Sequence, residues 1–143
     1  METNEKKETW SWKDRKPNNI LKIPTTPDKD FFKWWCSFLR PFVNMTDREM
    51  DIIASFLKQR FELSKKTSDP SILDTMVMSE EIKKKVRDEC NITLQHFYVV
   101  MSTLRKKSVI KGNMINPRII PNLRSDDNGC FQLLIMIGED NIK

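Results

Sequence analysis

The chain has 143 residues, 38% of them hydrophobic and 31% charged, a balance that suits one folded domain with its own core and excludes a disordered tail. Three glycines leave little room for a Gly-rich phosphate or dinucleotide loop, and the apolar runs are too short to span a bilayer. The net charge of +5 favours polyanionic partners such as nucleic acid without identifying one, and its distribution is uneven: residues 80–124 hold ten Lys and Arg against four acids.

Residues 1–30 read as an extended N-terminal arm. They begin polar and charged, with no apolar stretch of a secretory leader, and then carry Pro17, Pro24 and Pro27, which oppose a helix. Trp10, Trp12, Ile20, Leu21 and Ile23 punctuate this arm, and apolar residues on extended chain imply docking, onto the chain's own domain or a neighbour. The remaining residues, 31–143, read as one domain. Phe31, Phe32, Trp34, Trp35 and Phe38 form its densest aromatic cluster, closed by Pro41, and their spacing fits one or two helical turns or a strand equally. Five aromatics in eight residues exceed what one face buries, so core packing and partner contact both stand as roles for them.

Thr46 and Glu49 then form a capping box, in which each side chain satisfies an orphan amide at a helix start. Met50, Ile53, Leu57 and Phe61 recur behind it at helical steps and predict a helix over 47–63 with one inward stripe. Residues 64–69 are a polar loop, and Pro70 opens a short helix to Val77. Ser79, Glu80 and Glu81 start another helix, with Ile82, Val86 and Cys90 inward and Asn91 suited to a left-handed turn at its end. The next helix spans 93–107, with Phe97, Val100, Met101 and Leu104 inward and Lys106 and Lys107 at its C-terminus. Beyond it, segments 108–111, 114–120 and 130–137 are rich in β-branched and large apolar residues and are separated by turn-formers at 112–113 and 125–129. This order predicts a mostly α chain with a small β-ribbon, an α+β fold: a winged helix-turn-helix-like domain behind an extended arm.

The residues supply no catalytic constellation. Cys36, Cys90 and Cys130 form no CxxC pair, and the single His96 completes neither a zinc set nor a triad, so free thiols in a reducing cytoplasm, no cofactor and no enzyme activity are expected. A nucleic-acid reading places the 93–107 helix in a major groove, with Gln95, Val99, Ser102, Thr103 and Lys106 outward. Lys83, Lys84, Lys85 and Arg87 would then hold the DNA backbone from the preceding helix, and Arg118 and Arg124 from the ribbon. Against it, that outward face carries neither Arg nor Asn for bidentate base contacts, and Val99 sits at its centre. The same face serves equally to contact protein.

The run from Met78-Ser79-Glu80-Glu81-Ile82 to Thr93-Leu94-Gln95-His96-Phe97 resembles a family of small proteins in crAss-like phages of Bacteroidota. So do its continuation Leu104-Arg105-Lys106-Lys107-Ser108-Val109-Ile110, then Ile115-Asn116-Pro117-Arg118, and upstream Phe38-Leu39-Arg40-Pro41-Phe42 with Met45-Thr46-Asp47-Arg48-Glu49. The similarity covers residues 38–137. What the resemblance implies is a phage protein of one of two classes. One is a virion component, such as a subunit of the ring or collar joining head to tail, with Trp10, Trp12, Phe31, Phe32, Trp34 and Trp35 among its contacts to other virion proteins or to itself. The other is a regulator of transcription or replication that binds double-stranded DNA. The expected setting is the virion or the infected cell's cytoplasm, with no membrane.

Overall fold

The computed structural model describes residues 30–123 and Leu133. Their order is α1 (Asp30–Leu39), α2 (Asp47–Ser64), α3 (Pro70–Val77), α4 (Glu80–Cys90), α5 (Leu94–Lys106), β1 (Ile110–Lys111), β2 (Met114–Ile115) and a 3-10 turn at Pro117–Ile119. The fold is mostly helical with a small two-stranded antiparallel sheet, as the sequence predicts. The arm with Trp10 and Trp12, Arg124, Cys130 and, apart from Leu133, the last expected ribbon segment lie outside the described residues. Among the described residues no helix is long and apolar enough to cross a membrane.

The aromatic cluster is helical. Helical spacing turns Phe31, Phe32, Trp35 and Cys36 inward, while Trp34 and Phe38 are half-buried and stack at 5.8 Å. Phe31, Phe32 and Trp35, expected among assembly contacts, thus lie in this chain's own core rather than on its surface. The buried Trp35 indole N–H donates to the Ile119 carbonyl at 2.6 Å, which pins the first helix to the 3-10 turn.

Helix α2 is the hub, packed against α1, α3, α4 and α5. Its capping box is present as predicted: Thr46 Oγ1 accepts from the Glu49 amide, and the Glu49 carboxylate accepts from the Thr46 amide. The single inward stripe read from the sequence is too narrow. Residues 52–57 are buried without interruption, because neighbours cover the helix on more than one side, whereas Met50 and Phe61 are only partly buried. Ser55 and Lys58 of α2 also hold Glu89 of α4, Lys58 at 2.7 Å. Burial pushes the Glu89 carboxyl up. The hydrogen bonds from Lys58 and Ser55, with the charges of Lys58 and Lys33, outweigh it and hold the group below its ordinary 4.5. A depressed pKa gives stability above the ordinary carboxylate range that is lost as pH falls through the lowered value. The stability gap between the wild type and Glu89→Gln, followed by urea unfolding, is therefore expected to shrink with acidification. A gap that stays constant from neutral pH to well below 4.5 would refute this link.

Three residues join α4 to α5. Asn91 takes the expected left-handed conformation (φ 52°), and the Ile92 and Asn91 amides donate to the carbonyls of Arg87 and Asp88. Thr93 then caps α5, its hydroxyl accepting from the His96 amide at 3.2 Å. The end of α5 repeats the device without glycine or asparagine. Ser108 is left-handed (φ 62°), its amide donates to Arg105, and the Val109 amide donates to Leu104. The buried face of α5 is Phe97, Val100, Met101 and Leu104, as the periodicity predicts.

The ribbon differs from expectation. Ile110 pairs with Ile115 and Lys111 with Met114 around Gly112-Asn113, where Gly112 supplies the positive φ (61°) that such a short hairpin needs. The strand expected over 114–120 stops after Ile115. Asn116 accepts from the Arg118 amide through its side chain, and Pro117 has no amide to give a ladder, so the chain turns into 3-10 geometry. The β-branched residues there serve burial instead: Ile119 is in the core.

Candidate functional site

The face that could meet a partner is the outer side of α5. Its inner side is fixed by Phe97, which is wholly buried against Phe56 (ring centroids 6.2 Å) and under the Arg87 guanidinium (5.5 Å). With that side locked, the helical period turns Gln95, Val99, Ser102 and Lys106 outward together, and all four are exposed. Thr103 lies at the edge, half-buried, its hydroxyl donating to the Val99 carbonyl at 3.2 Å.

The exposed apolar surface is larger than the sequence reading allowed. Leu94 is 46% exposed, Tyr98 56% and Val99 62%. Leu94 and Tyr98 sit one turn apart, and Val99 lies further round the helix with Gln95 between, so the first half of the helix exposes three large apolar side chains around Gln95. Leu94, Arg105 and Lys111 are not in the outward set that periodicity gives; Leu94 lies just outside the inward quartet, and only the packed orientation of the helix exposes it. The second half is basic. Arg105 and Lys106 are exposed and form no ion pair among the described residues, and neither do Lys111 and Arg118 beyond them. No Asp or Glu occurs between Cys90 and Ser125.

The basic residues expected on α4 divide. Lys84 and Lys85 are exposed, Lys84 within 3.5 Å of Asp88. Lys83 lies along the surface, its side chain 15% exposed and 3.6 Å from Glu80, and Arg87 is drawn inward over Phe97. Long basic side chains cover apolar surface with their stems, which explains both departures from a phosphate-facing row. Lys107 is likewise engaged elsewhere, with the Glu49 carboxylate at 2.7 Å and the Asn44 carbonyl at 2.6 Å.

Chemistry elsewhere is quiet. A groove of about 420 Å³ runs between α1, α2 and α4 and is lined by Ser55, Lys58, Glu89 and Cys90 among others. Its Ser55 and Lys58 both donate to Glu89. Burial first, then the charges of Asp51 and Glu89, push the Cys90 thiol up to about 11, and burial with Asp51 pushes Cys36 up to about 12. Neither is an activated nucleophile at neutral pH. No group of His, Cys, Asp and Glu suited to a metal ion occurs among the described residues. No protein-family model, curated protein or solved structure matches the chain.

Proposed function

We propose that this chain is a non-enzymatic assembly protein, a phage virion component such as a subunit of the ring joining head to tail. In this reading α2, α4, α5 and the hairpin are a reduced winged helix whose outer α5 face meets protein. The observation that carries it is the exposure of Leu94, Tyr98 and Val99, three large apolar side chains held outward by one locked helix, which suits a protein contact. One further feature supports it. Glu80 and Glu81 occupy the exposed first turn of α4, the helix that crosses the phosphate backbone when a helix-turn-helix binds DNA, and there they repel it. Mass spectrometry of purified particles tests the proposal: stoichiometric amounts of this chain are expected, and its absence from them overturns the reading.

Double-stranded DNA binding is the second reading, favoured by the acid-free stretch with exposed Arg105, Lys106, Lys111 and Arg118, which form no ion pair among the described residues. It predicts a steep salt dependence of duplex affinity and a loss across all sequences when Lys84, Lys85 and Lys106 are neutralised. Duplex affinity unchanged by that triple substitution removes it.

A further inference from the structure

A second exposed apolar patch lies at the α3–α4 corner. Ile72 (46% exposed) and Met76 (39%) are one turn apart on α3. The Ser79 amide donates to the Met76 carbonyl at 3.1 Å, which sets the start of α4 directly beside them. There Glu80, its side chain 80% exposed and 3.6 Å from Lys83, and Glu81, exposed and without an ion pair among the described residues, point into solvent. The corner is therefore apolar and then acidic at the helix start, with the exposed Lys84 and Lys85 one turn beyond, where the α5 face is apolar and then basic.

We propose that the outer face of α5 docks on the α3–α4 corner of a second copy of this chain, head to tail. The inference rests on the reading of the α5 face as a protein contact and names its partner. Neither patch suits itself. Two α5 faces laid antiparallel set Leu94 against Lys106, and laid parallel they set Arg105 and Lys106 against their own copies. Two corners laid parallel oppose Glu80 and Glu81 to like charge. Like charges meeting across an interface disfavour it, whereas α5 on the corner joins apolar to apolar and basic to acidic. The dipoles of α4 and α5 account for acids at one helix start and bases at another helix end, but not for exposed apolar residues adjoining each. An interface built from two different patches of one chain extends copy by copy, and it closes into a ring when the rotation allows.

The test is sedimentation and native mass spectrometry of the full chain, with circular dichroism to confirm that each variant is folded. Wild type is expected to form species larger than a dimer. Arg105→Glu with Lys106→Glu, and separately Glu80→Lys with Glu81→Lys, are each expected to weaken association on the order of a hundredfold and leave monomers. The milder Glu80→Gln with Glu81→Gln, which reverses no charge at the helix start, is expected to weaken it less. The two reversed chains mixed in equal amounts, or all four changes in one chain, are expected to regain the wild-type assembly. A monomeric wild type, a wild-type dimer, a reversed chain that keeps wild-type size, or a mixture that stays monomeric overturns the pairing. Particle composition reports separately on the broader reading: a chain present in particles yet monomeric in solution refutes head-to-tail pairing alone, and one absent from particles and monomeric refutes both.

Discussion

Replacing Phe97 with alanine is expected to lower the unfolding free energy by about 3–5 kcal/mol, and the melting temperature by roughly 10 °C or more. The ring is wholly buried where α5 meets the hub helix, packed on Phe56 and beneath Arg87. Truncation forfeits the transfer free energy of the ring and leaves a cavity that the surrounding helices close only partly. It also strips the apolar surface from under the Arg87 guanidinium, whose Nη1 is buried without a hydrogen-bond partner. Domains of this size are stable by only about 5–15 kcal/mol, so the change removes a large part of the total. Val99→Ala on the opposite face of the same helix is the control, expected to shift stability by less than about 0.5 kcal/mol. Chemical denaturation of the two variants checks both figures, and a Phe97→Ala protein as stable as Val99→Ala would show that α5 is not anchored through this ring.

The second large effect is expected at Glu49, a buried acid that serves two partners. One carboxylate oxygen, Oε1, accepts from the Thr46 amide at 2.9 Å and from Lys107 Nζ at 2.7 Å, so a single group caps α2 and ties it to the end of α5. Glu49→Ala leaves an orphan amide at the helix start and a half-buried ammonium with only the Asn44 carbonyl, at an expected cost of about 2–4 kcal/mol. Glu49→Gln keeps an acceptor for Thr46 and loses only the ionic part, so it is expected to cost roughly half as much. A double-mutant cycle with Lys107→Met separates the pair from the cap, with a coupling of about 1–2 kcal/mol. Additive effects of the two single changes would mean that the salt bridge contributes nothing of its own.

The local elements of this chain were determined by its sequence because their causes are local. A hydroxyl and a carboxylate three residues apart start α2, an asparagine that tolerates positive φ ends α4, and a period near 3.6 assigns Phe97, Val100, Met101 and Leu104 to one buried side. What the tertiary structure decided involves partners far apart along the chain. The aromatic segment at 31–38 fits helix or strand until it packs on α2, and the Trp35 indole finds its acceptor 84 residues away. The 114–120 segment has strand composition, yet the side chain of Asn116, the missing amide of Pro117 and the burial of Ile119 bend it into a turn. The candidate site divides the same way. Periodicity places Gln95, Val99, Ser102 and Lys106 on one outward face, but whether a basic side chain faces solvent or lies along the protein depends on neighbours that spacing does not reveal. Lys83, Arg87 and Lys107 are drawn to Glu80, Phe97 and Glu49, leaving Lys84, Lys85, Arg105 and Lys106 exposed.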